Sequence, residues 1–242
     1  MRSIVMEERV FQRLFNLAGR KKLPTRSAEI GDYRSNFEHA VKFTRACGFK
    51  VDQPSWVKQD LLVVDGSFIE PAFRSAGVVD PSMAAGQCLK WCHYLAPHFE
   101  QQIGAKVWVT IGQLWKDDQQ VFSPTWAELR QWARTGITLD GIHKEGRQGI
   151  NLHAWLTVES GEIIEPTYGS SLAAFAADAY AKLSGAVIWG RDPHVLNHHR
   201  YFPMAVGQAF TEAIGRRSEL PLLATDAASL HALPMLFEKR GF

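Results

Sequence analysis

The segment NLHAWLTVESGEIIEPT (151–167) constrains this chain more than any other stretch. Leu152, Ala154, Leu156 and Val158 alternate with Asn151, His153, Trp155 and Thr157, the period-two pattern of a strand with an aliphatic face and a face carrying histidine and tryptophan. Glu159-Ser160-Gly161 suits a three-residue turn that ends in a left-handed glycine, which pairs Val158 with Glu162. In that register Ile164 faces Leu156, and Glu165 lies opposite Trp155, diagonal to His153 and on its face. A diagonal neighbour is roughly 7–8 Å away between backbones, within reach of two long side chains. A two-residue turn would place Glu165 on the other face. Pro166 holds Glu165 extended and ends the strand.

Ahead of this hairpin, Cys88, Cys92, Leu95 and Phe99 fall at i, i+4, i+7 and i+11, one stripe of a helix opening near Gly86. Pro97 is expected to end or kink it. A thiol in the first turn meets free N–H groups and the positive end of the helix dipole, both of which favour thiolate. The backbone N–H of Cys88 and the side-chain amide of Gln87 are candidates for binding an oxyanion. The alternative for Cys88 is a small buried hydrophobe; Cys92 and Cys47, inside apolar stripes, read as core. A histidine accepts the thiol proton when a third group fixes its tautomer, and Glu165 is placed to do so.

Further elements follow from local pattern. Val10, Leu14 and Leu17 predict a first helix, and a second runs from a cap at Ser35 to Gly48. Segment 61–80 holds one apolar run, LLVVDG, and then loop. KVWVTIGQL (106–114) reads as a strand. Ser123 and Pro124 read as cap and first residue of a helix ending at Gly136. An Ala-rich helix (171–184), the strand AVIWG and a helix around 204–214 complete the pattern. One helix followed by mostly sequential strands implies an α+β fold, with the Cys88 helix packed on a small antiparallel sheet. The chain reads as one domain, 1–242: a core at about 80–190, a mainly helical or irregular extension 1–79, and a C-terminal extension 191–242.

Composition removes several classes. Lys and Arg number 27 against 25 Asp and Glu, a net charge of +2 that gives no reason to expect a nucleic-acid partner. Hydrophobic residues at 46% and charged residues at 21% exclude an intrinsically disordered chain. No run of about eighteen apolar residues exists to span a membrane. The N-terminal MRSIVMEERVFQRLF is broken by charge every few residues, unlike a signal peptide. The 3 cysteines have the wrong parity for a disulfide framework, so a reducing, cytoplasmic setting is expected, with a signal-less secretion route still open.

Gly86-Gln87-Cys88, His153-Ala-Trp155 and Gly161-Glu-Ile-Ile-Glu165-Pro166-Thr167, in that order and with spacings of 65 and 12 residues between Cys88, His153 and Glu165, resemble the catalytic core of the transglutaminase-like branch of papain-like thiol enzymes. The resemblance covers about residues 80–190. It departs at two positions: the family usually has aspartate where this chain has Glu165, and a tryptophan commonly follows the cysteine where this chain has Leu89. The resemblance implies a Cys88 nucleophile, His153 as general base and then acid, and Glu165 orienting the imidazole. It further implies cleavage or transfer at an amide or peptide carbonyl through a thioester, with hydrolysis favoured over amine transfer. A protein, peptide or small-amide substrate is expected, and no cofactor or metal.

Two rivals stand beside this reading. His194 and His198, with His199 and Asp192, place imidazoles at i, i+4 as a zinc-binding helix would, although Pro193 and Asn197 disfavour a helix there. The same cluster is otherwise a solvated loop, or a holder of an anionic substrate group. The second rival is a binding protein without chemistry, its tryptophans (Trp91, Trp108, Trp115, Trp126, Trp132, Trp155) lining a peptide groove rather than a core. His143 in DGIHKEGRQG is a candidate for a flap over the site or for exposed loop. Should Glu165 not face His153, Asp140, Asp178 and Gln148 are the other candidates for the third residue.

Overall fold

The computed structural model describes residues 21–57, 65–144 and 149–232. The expected first helix (Val10–Leu17), most of the LLVVDG run and Gln148 lie outside them.

Helices α1 (Tyr33–Ala46), α2 (Ile69–Ala76) and α3 (Cys88–Ile103) precede strands β1 (Val107–Lys116) and β2 (Gln119–Phe122). Then come α4 (Trp126–Thr135), α5 (Leu139–Lys144), β3 (His153–Val158), β4 (Ile163–Glu165), α6 (Tyr168–Phe175), α7 (Ala177–Tyr180), β5 (Ile188–Gly190), β6 (His199–Val206), α8 (Gln208–Arg217) and α9 (Ala227–His231). The fold is α+β, and every strand pairing in its sheet is antiparallel. β1 is the central strand. β6 runs along one edge of it, while β3 and then β2 share the other; β4 and β5 extend the sheet beyond β3.

The hairpin has the turn and register read from its residues. The Val158 N–H donates to the Glu162 carbonyl at 2.8 Å and the Gly161 N–H to the Val158 carbonyl at 2.8 Å. Gly161 has φ +85°, the left-handed conformation such a turn requires. Leu156 pairs with Ile164, which leaves Glu165 one step further along, on the face of His153.

Both faces of the sheet are covered. Ala154, Leu156, Val158, Val109 and Ile111 pack in one cluster with Trp91, Cys92, Leu95 and Phe99 of α3. Trp155, Trp108, Ile163 and Tyr201 pack in a second with Tyr33, Phe37 and Val41 of α1. The histidine face is therefore an interior and not a solvent face, and every residue of β3 is buried. Five of the tryptophans considered for a groove (Trp91, Trp108, Trp115, Trp132, Trp155) are buried in these clusters.

Several boundaries differ from local pattern. The α1 cap is Asp32, whose carboxylate accepts the Ser35 N–H at 2.8 Å, so Ser35 is already inside the helix. Segment 69–76, expected as loop, is α2. Pro97 lies inside α3 without ending it: the His93 carbonyl that its missing N–H would have served accepts the Gln208 side-chain amide at 3.3 Å. Thr125, not Ser123, caps α4, because Thr125 and Glu128 form a reciprocal capping box. The Ala-rich stretch breaks into α6, α7 and a short 3-10 turn. The largest departure is β6: residues 199–206, the last of them expected in a helix around 204–214, form a strand on β1, and α8 begins only at Gln208. The span 80–190 expected for the core thus omits a strand of the sheet and the helix, α1, that covers it.

Candidate active site

Cys88 is the first residue of α3, after a left-handed Gly86 (φ +70°) and Gln87 in the capping position. α3 packs on the aliphatic face, whereas the ring of His153 lies on the other. The two meet at the start of β3, where the Cys88 Sγ lies 3.5 Å from the carbonyl of Leu152, the residue before His153. One turn on, Cys92 Sγ contacts the Ala154 carbonyl at 3.3 Å, so the helix tracks the strand. Cys88 is half-buried, while Cys92 has no exposed surface.

His153 and Glu165 are both buried. The Nε2 of His153 donates to the Oε2 of Glu165 at 2.7 Å, and the Tyr201 hydroxyl donates to the same oxygen at 3.3 Å. With Nε2 committed to Glu165, Nδ1 is the ring nitrogen that the carboxylate leaves open. Burial opposes a charged imidazole, but the Glu165 carboxylate beside it, with Cys88 and Glu165 as acceptors for the protonated ring, outweighs it and pushes His153 up to about 10. The ring sits among aromatics. Phe122 stacks on it with centroids 5.0 Å apart and planes 14° from parallel, and the Tyr168 ring stands edge-on at 5.5 Å. Gly112 of β1, the cross-strand partner of His153, leaves room for Trp155: a Cβ there would lie 2.8 Å from the indole and 2.0 Å from the Phe202 carbonyl oxygen.

The structure therefore brings Cys88, His153 and Glu165 together. Gln87 is adjacent, but its amide Nε2 donates to the Met83 carbonyl at 2.7 Å and its Oε1 is buried without a hydrogen-bond partner among the described residues. Asp140 and Asp178 are exposed residues of α5 and α7. His143, expected in loop, falls within α5.

The histidines proposed for a metal separate. Residues 194–198 form turns rather than a helix, because Pro193 precedes them and His198 adopts φ +64°. His198 points outward to Asp117 at 3.1 Å, His194 is exposed, and His199 turns inward on β6 with Nε2 3.3 Å from the Tyr168 hydroxyl. Among the described residues, no group of three or more His, Cys, Asp or Glu is placed to hold a metal ion. Among the same residues, no helix is long and apolar enough to cross a membrane.

Tyr201, Phe122 and Tyr168 are the neighbours of the site that sequence reasoning missed. Tyr168 follows Glu165-Pro166-Thr167 closely enough to have been suspected. Phe122 and Tyr201 carried no local signal, since each arrives by strand pairing: both are cross-strand partners of Leu114. Compared with known protein families, with characterised proteins and with solved structures, the chain matches none.

Proposed function

We propose that this protein is a cysteine enzyme that cleaves an amide or peptide bond through a Cys88 thioester. The observation that carries the reading is the buried 2.7 Å contact between His153 Nε2 and Glu165 Oε2, at the strand end where the Cys88 Sγ of α3 lies 3.5 Å from the Leu152 carbonyl. The arrangement of helix-borne thiol, strand-borne imidazole and carboxylate on the next strand supports a papain- and transglutaminase-like core. His153 Nδ1 takes the thiol proton, and the thiolate adds to the carbonyl carbon. The backbone N–H of Cys88 and the second N–H of the Gln87 amide are the candidates to steady the oxyanion. The imidazolium returns its proton to the departing amine, leaving a thioester. Water, deprotonated by the same nitrogen, then releases the acid and regenerates the thiol. Attack by an amine instead of water gives acyl transfer on the same residues. The substrate class is a protein, peptide or small amide, and the steps draw on no cofactor.

Intact-mass spectrometry after brief incubation with a peptide-amide library tests this. The expected result is an acyl mass gain on Cys88 that is lost in Cys88→Ala and strongly reduced in His153→Ala. A gain on another residue, or one indifferent to His153→Ala, overturns the proposal.

A further inference from the structure

Glu165 sits with no exposed surface, and its Oε1 has no hydrogen-bond partner among the described residues. Its Oε2 receives two donors: the His153 Nε2–H and the O–H of Tyr201, a residue that is itself fully buried on β6. We propose that Tyr201 is a positioning residue for the triad, whose O–H fixes Oε2 of the Glu165 carboxylate against the His153 Nε2–H and so holds the imidazole in one orientation and tautomer. This rests on the Cys88–His153–Glu165 reading above.

The chemistry follows from what a carboxyl group offers. An ionised carboxylate only accepts, so Nε2 must carry the ring proton and Nδ1 is open to the thiol. A protonated carboxyl would donate to Nε2 and move the ring proton to Nδ1, where it blocks transfer from Cys88. Two donors on one oxygen keep that oxygen turned toward the ring. Without Tyr201 the imidazole would be the sole donor to Oε2 among the described residues.

The phenol keeps its own proton, since burial and the neighbouring Glu165 push it well above the usual range. The other titratable groups that feel the carboxylate are Tyr168 on α6, Tyr33 on α1 and Cys92 on α3. Burial, more than any other cause, raises all three, so they stay neutral. His199, on the far side of Tyr168, is held low by burial, with Lys116 and His153 adding to the effect, and it does not hydrogen-bond the carboxylate. Tyr33 is a built-in control. It is buried on the same face, but its hydroxyl contacts Trp155 Nε1 at 2.7 Å and Thr157 Oγ1 at 2.6 Å instead of Glu165.

The test is the pH profile of Cys88 alkylation by iodoacetamide in the full chain, read by peptide mapping. Tyr201→Phe is expected to move the acid limb up by about one pH unit, the scale of one hydrogen bond to a buried charge. Tyr33→Phe is expected to leave the limb in place, and Tyr201→Phe combined with Glu165→Gln to match Glu165→Gln alone. A Tyr201→Phe profile that coincides with wild type, while Glu165→Gln is displaced, overturns the role of Tyr201 and leaves the triad standing. So does full additivity of the two changes. Glu165→Gln with a wild-type profile overturns the triad reading itself, and this inference with it. If Tyr201→Phe does not fold by circular dichroism, 3-fluorotyrosine at 201 retains the ring and donates more strongly. The limb should then move to lower pH, and an unmoved limb overturns the proposal.

Discussion

Phe122 lies almost flat on the imidazole of His153, with ring centroids 5.0 Å apart and planes tilted by 14°. It reaches that position because β2 pairs with the far end of β1, past the point where β3 stops pairing with the same edge. The contact closes one side of the ring to water, and Trp155, Tyr168 and Tyr201 stand around the rest. In so dry a setting the charge on an imidazolium is balanced by Glu165 and not by solvent, which is what makes the carboxylate matter.

Phe122→Ala should open the ring to water and weaken that coupling. Stability should fall by about 1–3 kcal/mol, reflecting lost stacking and apolar burial. The rate of acyl-enzyme formation should fall roughly tenfold or more as the ring loses its fixed orientation. Chemical unfolding and single-turnover kinetics measure the two effects, and an unchanged rate would show that the stack is structural only.

Iodoacetamide should label Cys88 ahead of Cys47 and Cys92. Burial raises the thiols of both competitors, and Cys92 has no surface to present. Equal labelling after a short pulse would remove Cys88 as the nucleophile.

Glu165→Gln should slow turnover by roughly 10²–10⁴ in folded protein, because an amide orients the ring without balancing its charge. Glu165→Asp is expected to recover only part of this loss. At 2.7 Å the present carboxylate just spans the diagonal between strands, and a side chain shorter by one methylene leaves a gap. Wild-type rates in Glu165→Gln would discard the residue.

The His153–Glu165 pair also predicts a pH dependence of stability. His153 is raised in the folded state from 6.5 to about 10. Its stabilising contribution is therefore complete below pH 6.5 and is lost progressively as pH rises through about 10. Urea unfolding should show the stability gap between wild type and Glu165→Gln narrowing across that window. A gap that is constant or grows with pH contradicts the assignment.

The two adjacent histidines of β6 and its approach should behave differently. His198 is exposed with an exposed partner, so His198→Ala should change stability by less than about 0.5 kcal/mol. His199 is buried against Tyr168, and His199→Ala should cost about 1–3 kcal/mol. Elemental analysis that finds stoichiometric zinc lost in both variants would restore the metal reading.

What the residues determined by themselves was local. Alternation along 151–158, a glycine able to take positive φ at 161 and a proline at 166 fix a turn and hence a register. A register of period two decides which face Glu165 occupies. The start of α3 at Cys88 was legible for the same reason, since a helix stripe and the residues before it are short-range features. Tertiary structure decided the rest. β6 has no autonomous signal, because its pattern makes sense only when it runs along β1, and with it came Tyr201. Phe122 and the α1 cover arrive through contacts between segments distant in sequence, which no local periodicity encodes. The meeting of a thiol on one side of the sheet with an imidazole on the other depends on where α3 is docked along β3, and docking is set by packing of the whole core rather than by any single segment.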